Sequence, residues 1–347
     1  MKYLFIITGI AYGHLTREEA IINKIKKLDK KAEIVVAGYE TSYEYFKGKY
    51  NILKLFPIIF SGSSGRFMIW RLLFKNCKLF TGWIGNVKII NNFIKDFKPN
   101  VVVSDWEPFA LFIKDCDYLI WNYKSKYAKA TNFPLFMQKT LIGLGYLIAR
   151  ISGKRIILPS IRKEDESNGI IYTNPIVRKT QNEVNVLNKY QDSVLVMIGG
   201  SDFGMELAEK IKNISKDFKE NFIFFGYRCK TKNCIGYKDF KENYLEYLKS
   251  CKAVISLGGY SGISESVFFN KPNLVFPIKN QLEQYAVVEE FKDYIEVGDI
   301  ESSEEELKIK IKQFLKDNNK IKKKLNSLKL KNGADEIAKI IHRKAKS

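Results

Sequence analysis

His14 is one of only two histidines in the 347-residue chain, and it lies in the loop GIAYGHLTR of residues 9–17. This loop follows residues 4–8, an apolar run that predicts a buried strand. A neutral imidazole beside a cleft can remove a proton from a hydroxyl group. The alternative is a histidine at a helix start that hydrogen-bonds only the backbone. The residue types alone leave both interpretations open.

Asp105 follows a second predicted strand, the β-branched run VVVS of residues 101–104. Because the carboxyl ends of parallel strands meet at one edge of a sheet, we expect Asp105 to lie beside His14. An acid in that position orients the imidazole and stabilises its protonated form, which is a recurrent way to activate a hydroxyl. The alternative is an aspartate that caps a helix near Pro108.

The stretch of residues 253–284 holds the densest set of residues suited to ligand binding. It reads AVISLGGYSGISESVFFNKPNLVFPIKNQLEQ and predicts two buried strands, each followed by a turn and a helix. Free N–H groups at helix starts bind phosphates, and polar side chains there reach sugar hydroxyls. We expect Glu265 in the first turn of its helix. The predicted donor-binding residues of this stretch are Gly259, Ser261, Gly262, Glu265, Glu283 and Gln284. Ordinary helix-start residues without a ligand are the alternative.

A second glycine loop follows the strand predicted for residues 194–198. Its residues Gly199, Gly200 and Ser201 would bring backbone N–H groups close to a diphosphate. A purely structural turn would also explain these glycines. Two glycine loops that face one cleft favour the binding interpretation.

The residues of 258–265, followed by Lys271-Pro272, Pro277 and residues 281–284, resemble the donor-binding signature of GT-B glycosyltransferases. The pattern is most similar to the enzymes that add N-acetylglucosamine to lipid-linked muramyl-pentapeptide and to the UDP-glycosyltransferases. The His14 loop, Asp105 and the hinge-like residues 174–178 extend the resemblance. It implies that Glu265 binds ribose, that Glu283 and Gln284 bind the donor sugar, and that the backbone at Tyr227 contacts the base.

The resemblance implies an α/β fold with two Rossmann-like domains that face a cleft. We expect an acceptor-binding domain at 1–160, a linker at 161–180, a nucleotide-sugar domain at 181–325 and a final helix at 326–347 that packs back on the first domain. A chain of this length with 46% hydrophobic residues supports two cores. We also expect one helix over residues 237–249 and lysine-rich helical structure over 304–347.

The net charge of +20 predicts an anionic partner, which would be a nucleotide diphosphate, an acidic membrane surface or a nucleic acid. No nucleic-acid-reading motif is present, so we do not expect a nucleic-acid partner. Basic, aromatic stretches at 66–90 and 133–157 have apolar residues at helical spacing. They form either core or an interface with an anionic membrane that carries a lipid-linked acceptor.

Five cysteines without regular spacing predict a reducing compartment, and no apolar run is long enough to span a bilayer. We therefore expect a cytoplasmic protein that is either free or peripheral on the inner face of the cell membrane. The acid pair Asp115 and Asp117 resembles a GT-A metal site but precedes its strand, at the wrong sheet edge. We expect no metal and no cofactor apart from a nucleotide-sugar substrate.

These features together predict an inverting glycosyltransferase that moves a sugar from a UDP-linked donor to an acceptor hydroxyl. His14 would act as the base and Asp105 as its partner. A nucleotide-sugar epimerase of the same fold and a basic nucleic-acid-binding protein are the two alternatives. Product analysis separates the epimerase, because it changes the sugar nucleotide without an acceptor.

Overall fold

The computed structural model describes residues 1–10, 12–57, 62–63, 65–67, 79–162, 164, 169–199, 202–238 and 243–347. Gly200 and Ser201, two predicted donor-binding residues, lie outside these ranges, as do residues 68–78 of the basic, aromatic stretch at 66–90. Within the described ranges, no helix is long and apolar enough to cross a membrane.

The first half of the chain forms a seven-stranded parallel sheet with the strand order β3-β2-β1-β6-β7-β8-β9. Its elements are β1 Lys2–Ile7, α1 Tyr12–Leu28, β2 Glu33–Gly38, α2 Glu40–Phe46, β3 Asn51–Lys54, the short antiparallel pair β4 Gly62–Ser63 and β5 Arg66–Phe67, α3 Leu79–Phe97, β6 Val101–Asp105, β7 Tyr118–Ile120, α4 Phe133–Ile151, β8 Arg155–Pro159 and β9 Ile170–Thr173. Strands covered on both faces are apolar along most of their length, which is why β1 and β6 read as continuous hydrophobic runs.

The second half forms a six-stranded parallel sheet with the order β12-β11-β10-β13-β14-β15. Its elements are β10 Ser193–Met197, α5 Met205–Ile214, β11 Asn221–Phe225, β12 Cys234–Tyr237, α6 Tyr244–Ser250, β13 Ala253–Leu257, α7 Tyr260–Phe268, β14 Asn273–Phe276, α8 Leu282–Phe291, β15 Glu296–Val297, α9 Glu304–Ser327 and α10 Gly333–Lys346. Each sheet has its own apolar core, so the predicted α/β class is confirmed.

The register of the first sheet places the predicted catalytic pair at one edge. Ile7 at the end of β1 is aligned with Asp105 at the end of β6 on one side and with Gly38 at the end of β2 on the other. The chain then turns into α1, which carries His14. The carboxyl ends of these strands therefore deliver His14 and Asp105 to the same place.

Two predicted helices differ from the structure. The helix predicted for 237–249 was placed too early, because residues up to Tyr237 form the edge strand β12 and the helix begins at Tyr244. The C-terminal region is divided into α9 and α10 by a break in which the Asn332 side chain accepts a hydrogen bond from the Ala334 N–H at 2.9 Å and so caps α10.

The last helix, α10, packs against α1 of the first half. Its apolar residues Ala334, Ile337, Ala338 and Ile341 are fully buried in the core that also holds Ile21. Gly333 lies so close to the hinge that a Cβ atom there would be 1.8 Å from the Asn174 carbonyl oxygen. The close approach explains the glycine. The four predicted domain limits stay predictions.

Candidate active site

His14 and Asp105 form a direct hydrogen bond at the edge of the first sheet. The distance between His14 Nδ1 and Asp105 Oδ1 is 3.0 Å, and Asp105 is 1% exposed. When Nδ1 carries the proton and donates it to this carboxylate, Nε2 has a free lone pair. The imidazole in that tautomer can accept a proton from a hydroxyl.

Arg17, which the sequence reasoning missed, holds the other side of the same carboxylate. Its Nε donates to Asp105 Oδ2 at 2.7 Å, and its Nη2 donates to Asp105 Oδ1. Burial alone would raise the pKa of the Asp105 carboxyl, but the Arg17 guanidinium and His14 lower it below the usual range. Asp105 is therefore a carboxylate in the site. The signal in the sequence is the spacing of three between His14 and Arg17, which places both on one helix face.

Two further acids are buried around this pair, and neither was predicted. Glu18 on α1 is fully buried, and burial followed by the charge of Asp105 raises its pKa well above the usual value. Glu107 is 1% exposed, and burial raises its pKa to about 8. Among the described residues, neither carboxyl makes a well-aligned hydrogen bond, although the Tyr39 and Thr8 hydroxyls lie near Glu107 and the Asp105 carboxylate lies near Glu18. Burial therefore favours the protonated form of both acids, and Glu107, with a pKa of about 8, is mainly protonated at neutral pH.

The backbone between Asp105 and Glu107 has an unusual conformation. Trp106 has φ of 55°, in the left-handed region that side chains other than glycine rarely adopt. Its ring packs edge-on against Trp121 with ring centroids 5.8 Å apart. The tight turn places Asp105 of β6 and Glu107 of the following loop, separated only by Trp106, at the strand end. Strained backbone of this kind is concentrated at functional sites.

The start of α7 in the second half faces the start of α1 in the first half. The Ser261 hydroxyl donates to the Gly13 carbonyl oxygen at 3.1 Å, next to His14. Gly259 precedes the helix in an extended conformation, and a Cβ atom at Gly259 would meet nothing within 4 Å. A Cβ at Gly262 would be 3.6 Å from the Met197 methyl carbon, an ordinary contact. The predicted donor loop and the predicted base thus lie on opposite sides of one interface.

Gln284 joins the two turns of the predicted donor stretch. Its Oε1 accepts from the Gly258 N–H at 2.9 Å and from the Ile278 N–H at 2.8 Å. A Cβ at Gly258 would be 2.9 Å from the Gln284 Cβ, so the glycine is required by close approach and not by a positive φ. The side-chain oxygen of Gln284 is therefore already bonded to two backbone N–H groups. A role for Gln284 in binding the donor sugar stays a prediction.

Glu283 lies in the first turn of α8, as the sequence indicated, and contacts the first half of the chain. Its Oε1 accepts a hydrogen bond from the Asn122 Nδ2 at 2.7 Å, and Asn122 is 2% exposed. Glu283, which is predicted to bind the donor sugar, therefore also links the two halves across the interface. Sequence spacing held no signal for Asn122.

Glu265 is in the second turn of α7, because the helix begins at Tyr260, and not in the first turn as predicted. Its two carboxylate oxygens accept from Arg178 Nε at 2.6 Å and Nη2 at 2.7 Å. Arg178 also stacks over the Tyr244 ring at 4.5 Å. Burial would lower the pKa of Arg178, but Glu265 raises it, so Arg178 stays charged. Ribose hydroxyls would have to share this carboxylate with Arg178.

The remaining predicted donor residues lie at strand ends of the second sheet. Gly199 follows β10 with φ of 71°, which favours glycine. Tyr227 follows β11, is partly exposed, and its hydroxyl donates to Glu209 on α5. Within the described residues no group of His, Cys, Asp or Glu could hold a metal ion. Asp117, of the discounted acid pair, accepts from the Val102 N–H at 2.9 Å.

Comparison with known proteins decides the family. The model of the glycosyl transferase family 1 matches residues 1–119 and 167–318. The chain belongs to this family. It is therefore a glycosyltransferase, as the sequence predicted. No curated protein sequence matches the chain.

Solved structures with the same fold cover almost the whole length of this family 1 glycosyltransferase. The kitacinnamycin glycotransferase has a TM-score of 0.67 with 12% identity and covers 99% of this chain and 98% of its own. Arabidopsis thaliana UGT89C1, solved with UDP-L-rhamnose, gives 0.66 with 12% identity over 99% of each chain. Acinetobacter baumannii MurG gives 0.61 with 11% identity over 99% of this chain and all of its own. The predicted GT-B fold is confirmed.

Proposed function

We propose that the enzyme transfers a sugar from a UDP-linked donor to an acceptor hydroxyl with inversion at the anomeric carbon. The observation that carries this proposal is the His14–Asp105 hydrogen bond at the strand edge that faces the start of α7, where Ser261 bonds Gly13. A base on one side and free helix N–H groups on the other are what a displacement at a phosphorylated sugar needs.

In the proposed step, His14 Nε2 takes the proton of the acceptor hydroxyl while its oxygen forms a bond to the anomeric carbon. The bond between that carbon and the diphosphate oxygen breaks, and UDP leaves. One displacement inverts the configuration. The N–H groups at Gly259 to Gly262, with those of the loop at Gly199, stabilise the negative charge that develops on the diphosphate. Gln284 and Glu283 lie at the next helix start, within the same edge of the second sheet.

Two observations favour a uridine nucleotide as the carrier of the donor sugar. The signature of residues 258–284 resembles UDP-glycosyltransferases, and UGT89C1, which shares the fold, binds UDP-L-rhamnose. The Glu265–Arg178 pair supports a ribonucleotide donor of any base, because a carboxylate held by an ion pair can accept hydrogen bonds from ribose hydroxyls.

Product analysis tests the proposed reaction. Purified enzyme is incubated with UDP-glucose or UDP-N-acetylglucosamine, with and without a total polyprenyl-lipid extract, and the products are separated by chromatography and mass spectrometry. We expect UDP release that depends on the extract and a lipid fraction that gains the mass of one hexose or one N-acetylhexosamine, according to the donor. A sugar nucleotide converted to its epimer without an acceptor would contradict the proposal. So would the absence of any product with every pyrimidine sugar nucleotide tried.

We further propose that the acceptor is lipid-linked and that α4 holds the enzyme against an anionic membrane. One face of α4 is buried through Leu135, Gly145 and Ala149, which the core interpretation predicted. Six further apolar residues are 49–77% exposed, namely Phe133, Phe136, Leu141, Leu144, Leu147 and Ile151. An exposed apolar helix face on a protein of charge +20 suits an anionic lipid surface.

The position of α4 connects this face to the proposed site. Gln138 Oε1 accepts from the Leu282 N–H at 3.0 Å, and Gln138 Nε2 donates to the Asn280 carbonyl oxygen at 2.8 Å. The helix therefore starts beside Glu283 and continues along the surface. A membrane at the exposed face would present a lipid-linked hydroxyl near the interface.

Replacing both Leu141 and Leu144 by serine should weaken binding to vesicles of phosphatidylglycerol and phosphatidylcholine by about 10- to 100-fold, since two partly buried leucines are lost from the interface. Vesicle sedimentation measures the effect. Ile309→Ser on α9 removes an exposed isoleucine from the other half and should leave vesicle binding unchanged. Equal vesicle binding by the double variant and wild type would contradict the membrane role of α4.

Replacing Glu265 by alanine should lower the affinity for UDP by about 10- to 100-fold, because charge-assisted hydrogen bonds to the ribose are lost. The affinity for 2′,3′-dideoxy-UDP should change much less, because that ligand has no ribose hydroxyls to bind. Isothermal titration calorimetry measures both constants. An equal loss for the two ligands would mean that Glu265 acts only by fixing Arg178. Arg178→Met breaks the same ion pair but keeps Glu265. This variant should therefore still bind UDP more tightly than 2′,3′-dideoxy-UDP.

A further inference from the structure

Arg17 makes a complete two-pronged contact with the partner of the proposed base. Its side chain is 3% exposed, and its Nε and Nη2 atoms donate to the two oxygens of Asp105. Asp105 Oδ1 also accepts from His14 Nδ1. The carboxylate is therefore held between an arginine and a histidine that lie three residues apart on α1.

This geometry constrains the orientation of the carboxylate. A guanidinium group is planar and presents parallel donors, so a bidentate contact fixes the plane of the acid as well as its position. A carboxylate bound only by an imidazole could rotate away from the ring. Because one rigid helix carries both donors, the orientation of Asp105 is set with respect to His14.

The charges around the pair give Arg17 a second effect. The groups that face the Arg17–Asp105 pair are Glu18 from α1, Glu107 from the loop after β6, Tyr260 from α7 and Glu283 from α8. Burial favours the neutral forms of Glu18 and Glu107, and the guanidinium of Arg17 lies directly against the carboxylate of Asp105. The Arg17 guanidinium is thus a positive charge beside the same carboxylate that His14 contacts, and a second positive charge there would be repelled by the first.

We propose that Arg17 is a positioning residue that fixes the Asp105 carboxylate against His14 and, as a neighbouring positive charge, disfavours a charge on the imidazole ring. The role of Arg17 in catalysis rests on the proposed function. The effect of Arg17 on the His14 ring does not, because the state of that ring can be measured without a substrate.

Proton–nitrogen NMR of the imidazole rings tests this proposal in the full chain. Only His14 and His342 contribute ring signals, and His342→Gln assigns them. In Arg17→Met, the pH midpoint of the His14 ring signals should move about one pH unit higher than in wild type, because a neighbouring positive charge is lost. In Arg17→Lys, the midpoint should stay near that of wild type, while the Nδ1–H signal of the bond to Asp105 should weaken or disappear.

Circular dichroism and unchanged His342 signals report whether each variant is folded. An unmoved midpoint in folded Arg17→Met, or an intact Nδ1–H signal in folded Arg17→Lys, would overturn the proposal. If Arg17→Met does not fold, Arg17→Lys decides by its Nδ1–H signal alone. With an active substrate pair, Arg17→Lys should lower kcat about tenfold and leave the donor KM unchanged. A protein that transfers no sugar would refute the proposed function and leave the NMR result intact.

Discussion

The His14→Ala enzyme should lose about 10²- to 10⁴-fold in kcat, because general-base catalysis by a positioned imidazole contributes an effect of that size. His14 Nδ1 is bonded to Asp105, which leaves Nε2 for the acceptor hydroxyl. The residue lies on α1, whereas the proposed UDP contacts lie in the second half. The affinity for UDP should therefore change by less than about threefold.

Steady-state kinetics and calorimetry of His14→Ala measure the two effects separately. His342→Gln is the matched control, because it removes the other histidine, whose Nδ1 lies 2.9 Å from the Tyr3 hydroxyl on the far side of the first core. The control should keep full turnover. Wild-type turnover in His14→Ala would remove this residue from the mechanism. A large loss of UDP affinity would instead assign it to donor binding.

The second large effect concerns stability. Replacing Glu107 by glutamine should raise the free energy of unfolding at pH 7 by about 2–3 kcal/mol. Burial raises the pKa of Glu107 to about 8 in the folded chain, against 4.5 for an unperturbed glutamate. Between these values the unfolded chain releases a proton that the folded chain keeps. The stability of the wild type therefore falls as pH rises from about 4.5 to about 8, and glutamine removes this loss.

Urea unfolding of wild type and Glu107→Gln at pH 4.5, 6 and 8 measures this effect. The difference between them should be small at pH 4.5 and largest at pH 8. Glu305→Gln, an exposed acid in the first turn of α9, should give the wild-type curve at every pH. A difference between Glu107→Gln and wild type that is constant with pH would show that Glu107 is ionised in the folded protein.

The sequence alone was sufficient to predict the strand ends and the residues that follow them. Strands buried on both faces appear as apolar runs, and the residue after such a run lies at the sheet edge, which located His14 and Asp105 together. Local patterns also predicted Glu283 at a helix start. These successes depend on short stretches of chain.

Contacts between distant side chains were beyond sequence reasoning. Arg17 is visible as an ordinary helix residue, and only the packing of α1 on β6 directs it to Asp105. The sequence indicates only that Glu107 is an acid in the loop after a strand. In the structure Glu107 is buried, because the chain turns sharply at Trp106. The bonds of Glu265 to Arg178 and of Glu283 to Asn122 depend on how the two halves meet. Periodicity holds no information on that arrangement.

Donor binding tests the central claim most directly. The melting temperature of the wild type is measured with UDP, UDP-glucose, dTDP, ADP and inorganic pyrophosphate at millimolar concentration. A ligand at about 100 times its Kd adds about 2.7 kcal/mol to the free energy of unfolding, which raises the melting temperature by several degrees. We predict that UDP and UDP-glucose produce this shift and that ADP and pyrophosphate do not. An unchanged melting temperature with every pyrimidine diphosphate would contradict the proposed nucleotide-sugar site.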